Sequence, residues 1–245
     1  MMRENNEEIL KHTYAAVERA AHIDFKDYPI DMSFSDGVLT LDGEVPDIVC
    51  KKLALNGIAA VPGVENVVDR LRVKPGERAG DGAIRNAICD NLLRDVDFQN
   101  CELRALAKRN EVQLLRQPQD GESSGSIVIT VEEGVVTLWG HVISLSHKRL
   151  AGVLAWWTTG CRDVVNSLEI SPPEEDNDDE IADALRLVLE TDPVVPAEQI
   201  GISARDHVVT LEGIVATEQQ RRHVELDAWY IFGVSDVVNR IQVHP

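Results

Sequence analysis

Three basic pairs stand at matching places along the chain: Lys51-Lys52, Lys148-Arg149 and Arg221-Arg222. After two of them an aromatic pair follows at the same distance, Trp156-Trp157 and Trp229-Tyr230. Trp156 comes seven residues after Arg149 and Trp229 seven after Arg222, so on a helix each arginine and its tryptophan lie along one face. Cations beside aromatic rings suit phosphate head groups at a lipid interface, or an acidic protein partner. The same residues have a plainer use. Basic side chains are ordinary on a solvated helix face, and large rings also pack over a sheet edge or between neighbouring domains. The first copy carries Ala59-Ala60 where the others carry rings, which assigns that copy a structural role.

Other candidate chemistry is thinner. Arg104, Lys108, Arg109 and Arg116 form a basic segment that either pairs with acidic neighbours or serves as a docking segment. His141, His147, His207 and His223 do not fall at metal-ligand spacing. Cys50, Cys89, Cys101 and Cys161 contain no CxxC and read as buried or half-buried thiols of a reducing compartment. No phosphate-binding glycine loop, HExxH helix or GxSxG elbow is present. The expectation is a non-enzymatic protein without a cofactor or metal. A net charge of −18 sets the chain against nucleic acid, so an anionic partner would have to meet a local basic patch.

The elements that position these residues come from a repeat. Gly37-Val-Leu-Thr-Leu-Asp-Gly43, Gly134-Val-Val-Thr-Leu-Trp-Gly140 and His207-Val-Val-Thr-Leu-Glu-Gly213 share one register. Their threonines, Thr40, Thr137 and Thr210, are strand residues by propensity, not nucleophiles. Gly63, Gly160 and Gly233 follow at a common distance and end a helix. Val73, Ile170 and Val243 end a last strand. In the third copy Ile181, Ala184, Leu185, Val188 and Leu189 keep helical spacing up to Asp192-Pro193. Ile200–Ala204 and Val208–Val215 predict a hairpin with Asp206-His207 at its turn. Thr217 and Gln220 have capping-box spacing, Val224, Ala228 and Ile231 form a buried stripe, and Val237–Val243 closes the copy.

The first helix is expected over Glu7–Ala21 in copy one and Ala83–Leu93 in copy two. The order helix, strand, strand, helix, strand makes the second and third strands parallel, because a helical crossover joins them. The fold class is therefore α+β: three tandem αββαβ modules, each with two helices on a small three-stranded mixed sheet. The modules span 1–75, 76–172 and 173–245. The middle one carries an insert at about 95–122, because the Thr40–Thr137 interval is 97 residues and the Thr137–Thr210 interval 73. Within it, 101–116 is expected as a short basic helix with a strand after it.

The G-V-V-T-L-x-G strand, the A-x3-A-x2-V-x-G-V helix end and the V-V-N-x-I-x-V strand together resemble the BON domain family, across all three copies. The resemblance implies non-catalytic modules that bind phospholipid surfaces or other envelope components, often in osmotic or envelope stress. The partner is then an anionic phospholipid surface, met by the basic and aromatic helix faces. The alternative is a cytoplasmic scaffold whose modules pack on one another or on a protein partner. No run of residues approaches a membrane span. The polar, acidic start lacks a secretory pattern, so the expected location is the cytoplasm, or the periplasm if a leader has been removed.

Overall fold

The computed structural model describes residues 2–106, 111–118 and 123–244. They form two compact units, Met1–Pro75 and Gly76–Pro245.

The first unit is one module: α1 (Met2–Ala21), β1 (Ile30–Ser35), β2 (Val38–Val45), α2 (Ile48–Ala59) and β3 (Asn66–Val73). β1 and β2 pair antiparallel through Asp36-Gly37, and both turn residues have positive φ (52° and 79°), the turn whose twist matches a tight hairpin. β2 and β3 pair parallel, from Val38↔Asn66 to Val45↔Val73. Alternation along β2 sends Leu39, Leu41 and Val45 inward, where they meet Val17, Ala21, Ala54, Ile58 and Leu71. Asp47 caps α2 by accepting from the Cys50 amide at 2.7 Å. α2 lies close on α1 because Gly57 has no Cβ; one would meet the Ala20 Cβ at 2.9 Å.

The second unit holds the other two modules. The middle one runs α3 (Asp81–Arg94), β4 (Cys101–Leu106), β5 (Val112–Arg116), β6 (Gly125–Glu132), β7 (Val135–Val142), α4 (Leu145–Trp156) and β8 (Asp163–Ile170). The last runs α5 (Asp178–Thr191), β9 (Ile200–Arg205), β10 (Val208–Val215), α6 (Glu218–Tyr230), β11 (Asp236–Asn239) and β12 (Gln242–Val243). In both, the hairpin is antiparallel and the closing strand parallel, as in the first module. The last closing strand breaks at Arg240, whose amide still donates to Leu211 O at 2.8 Å. An aspartate at the start of each first helix holds the hairpin turn. Asp81 accepts from the Glu133 and Gly134 amides, and Asp178 from those of Asp206 and His207. Those amides hold the Asp178 carboxyl below the usual range.

The insert corrects one expectation. Residues 101–106 are a strand, not a helix. Cys101, Leu103 and Ala105 alternate inward as β4, which pairs parallel with β6 and antiparallel with β5. The middle sheet therefore has five strands, in the order β5-β4-β6-β7-β8. Leu103 and Leu106 also fit helical spacing, so the segment satisfies both periods, and pairing with β6 decides between them. Lys108 and Arg109 lie outside the described residues.

The last two modules share one apolar core. Ile84, Ile88 and Leu92 of α3, Leu150, Val153 and Leu154 of α4, Ile181, Leu185 and Val188 of α5 and Val224 and Ala228 of α6 belong to a single cluster. α4 is buried on almost every side, because α5 covers the face that its own sheet does not.

Candidate functional site

The basic and aromatic pairs sit on α2, α4 and α6 as expected, but little of that array faces water. Arg149 is the clearest case, at 1% exposed. Its Nε donates to Phe232 O at 3.0 Å and its Nη2 to the Asp176 carboxylate at 2.6 Å. Both acceptors belong to the third repeat or the segment leading into it, so this side chain joins two modules. Gly233 makes room for it, since a Cβ there would lie 3.3 Å from Nη2.

The rings are used in the same joint. Trp156 stacks on Tyr230, with centroids 5.7 Å apart and planes 19° from parallel. The Trp157 indole donates to Asp227 Oδ1 at 2.9 Å. Trp229 is 3% exposed. Arg149, Trp156, Trp157 and Tyr230 thus make contacts between the second and third modules, while Trp229 is buried.

Lys51 is buried for a local reason. In the middle and last modules an asparagine in the closing strand ties that strand to the second helix. Asn166 donates to Lys148 O at 2.6 Å, and Asn239 to Arg221 O at 3.3 Å. The first module has Asp69 in that column, and a carboxylate cannot donate. Lys51 supplies the missing protons instead, its ammonium lying 3.0 Å from Asp69 and 2.9 Å from Leu71 O. Lys51→Met should therefore lower the stability of the first unit by about 2 kcal/mol. Adding Asp69→Asn should restore part of it by re-creating the amide tie; thermal melts followed by circular dichroism decide this. Lys52 keeps part of its surface in water, yet desolvation pulls its ammonium down to about 7.

The remaining candidates are nearer the surface. Arg222 is exposed, and Arg221 is half-buried beside Glu218 at 3.3 Å. Lys148 sits 5.8 Å from the ring centre of Phe232. That phenylalanine is 58% exposed and was not singled out by the repeat pattern, because the same column holds Pro62 and Thr159. In the insert, Arg104 pairs with Glu102 at 3.0 Å. Arg116 donates to Phe98 O at 2.9 Å and to Leu93 O, near the C-terminal end of α3 where a cation suits the dipole.

The cysteines are free thiols, three of them buried. Burial pushes Cys50 up to about 12 and Cys89 up to about 11, which suppresses the thiolate that nucleophilic chemistry needs. Among the described residues no group of three His, Cys, Asp or Glu side chains is placed to hold a metal ion. Nor is any helix among them long and apolar enough to cross a membrane.

Three αββαβ units follow one another along the chain, and the last two share one core. The chain belongs to the BON domain family, whose model matches residues 6–75, 113–172 and 177–245. The second match begins inside the inserted hairpin, which separates α3 from β6. The family is one of non-catalytic modules that bind membranes or proteins. Among solved structures the chain is similar to the C-terminal domain of CdsD, a structural protein of the type III secretion system of Chlamydia trachomatis. The identity is 16% over 94% of this chain and 96% of that one, with a TM-score of 0.24. A second CdsD structure matches at 17% identity over 95% and 92%, also with a TM-score of 0.24. A search of curated sequences returns no match.

Proposed function

We propose that this chain is a non-enzymatic scaffold that meets a protein partner with its second and third BON modules already assembled as one body. The observation that carries this reading is the joint itself. Arg149, Trp156 and Trp157, among the residues best suited to a charged lipid interface, are engaged between the two modules, and Trp229 is buried. The acidity of the chain adds to this, because a net charge of −18 opposes approach to anionic lipid.

A second reading, contact with a phospholipid or envelope surface in a stress response, keeps one specific observation. Phe232 is an exposed ring with the Lys148 ammonium beside it, a small amphipathic spot at the edge of the joint. Co-sedimentation with phosphatidylglycerol-containing and phosphatidylcholine-only vesicles separates the two. The scaffold reading expects the protein to stay in solution with both. Salt-sensitive binding to the anionic vesicles, lost in Phe232→Asp and Lys148→Glu, would replace it with the lipid reading. Tryptophan emission supplies an independent check. Trp139 is 47% exposed, so Trp139→Phe should leave a bluer spectrum from the packed rings of the joint.

A further inference from the structure

The joint between the second and third modules contains a pair of carboxyl groups. Asp227 is 3% exposed, on the inner face of α6. Its Oδ1 accepts from the Trp157 indole, and its Oδ2 is enclosed without a donor from the described residues. Beside it is Asp192, which closes α5 and whose own Oδ1 accepts from the Val194 amide at 2.8 Å. His223, one turn earlier on α6, places Nδ1 3.8 Å from Asp192 Oδ2. From α4 comes the Trp157 indole, which carries no charge. Asp192 is thus fixed as the acceptor of its own turn, and Asp227 is the member left to carry a proton. The repeat makes Asp227 unusual, because its column holds Gly57 and Leu154 in the other copies.

We propose that this joint is proton-operated: a proton on the enclosed Asp227 keeps α6 seated against the end of α4, and its loss loosens the two modules. An ionised Asp227 would be enclosed beside a second carboxyl group with no donor at its Oδ2, a cost that its proton removes. Burial first, and Asp192 second, push the Asp227 carboxyl up to about 8; the Trp157 bond opposes them. The folded unit then holds a proton that the unfolded chain releases near the ordinary value of 3.8. Stability of the unit falls as pH rises through that window and levels off above about 8.

The test follows the Trp157 indole N–H resonance of the full chain by NMR from about pH 5 to about pH 9, assigned with Trp157→Phe. The expected result is a transition centred near 8. It should vanish in Asp227→Asn and move to lower pH in Asp192→Asn, where the repelling neighbour is gone. The melting temperature read by tryptophan emission should fall across the same range in the parent chain and stay nearly flat in Asp227→Asn. A resonance that does not move, or a transition that survives in Asp227→Asn and so reports His223, overturns the proposal. Should Asp227→Asn not fold, the parent titration and its displacement in Asp192→Asn still decide the matter.

Discussion

Arg149→Ala is expected to destabilise the second unit by about 3–4 kcal/mol, the sum of a stranded carbonyl and an unfilled space. The guanidinium reaches from α4 to both Phe232 O and Asp176. Without it the Phe232 carbonyl loses its donor, and the volume of the buried stem has no replacement. For a unit of this size the melting temperature should fall by roughly 6–15 °C. Tryptophan emission reads this unit alone, since Trp139, Trp156, Trp157 and Trp229 all lie within Gly76–Pro245. Arg149→Lys should recover little, because Nε and Nη2 reach the two acceptors from different points of a planar fork that one compact ammonium on a shorter side chain does not span. Arg149→Met should recover more, losing only about 1–2 kcal/mol, because it keeps the stem's volume and removes the cost of a buried charge. Equal losses in the alanine and methionine variants would show that the charge, not the packing, holds the joint. An unchanged melt in Arg149→Ala would remove this residue from the account of how the modules assemble.

The frame of each module was legible because its signals are local and occur three times. Thr217 caps α6 by accepting from the Gln220 amide at 3.1 Å, as the spacing implied. Val224 and Ala228 are buried as its stripe, and β2–β3, β7–β8 and β10–β11 run parallel, as a helical crossover requires. The insert was not legible in this way. It occurs once, and the choice between strand and helix for 101–106 rests on β6, a neighbour about two dozen residues further on. Only long-range pairing separates two periods that one short segment satisfies equally.

The joint was less legible still, though it left two traces. From Leu150 to Trp157 the second helix is apolar in every direction. A helix on the surface of its own sheet would show a polar side there, so this run points to a second layer, which α5 provides. The other trace is the carboxylate of Asp227 in a column of glycine and leucine. The basic pairs share columns but not surroundings. Lys52, Arg149 and Arg222 occupy one column, half-buried, buried and exposed in turn, and Arg149 meets an acceptor in the segment leading into the next repeat. A repeat predicts what each module does for itself; it is silent about what one module does to its neighbour.

A second large effect belongs to that self-sufficient part of the fold. Gly140 lies opposite Ile127 in the β6–β7 pair and has φ of 125°. A Cβ there would sit 2.0 Å from Ser126 O and 3.0 Å from its carbonyl carbon, well inside contact distance with a backbone that cannot turn away. Gly140→Ala should therefore cost at least about 3 kcal/mol, from the clash and the strained backbone together. β6 also carries β4 on its other edge, so a displaced β6 would loosen the inserted hairpin as well. Gly201→Ala supplies the contrast. A Cβ at Gly201 meets nothing nearer than Glu212 O at 3.6 Å, an ordinary contact, and its φ lies outside the glycine region. That variant should melt within about 0.5 kcal/mol of the parent, helped slightly by the smaller entropy of its unfolded chain. Comparable losses at both positions would mean that strand propensity sets the cost. A loss confined to Gly140 would show that the repeated glycine is kept for the close approach of two backbones.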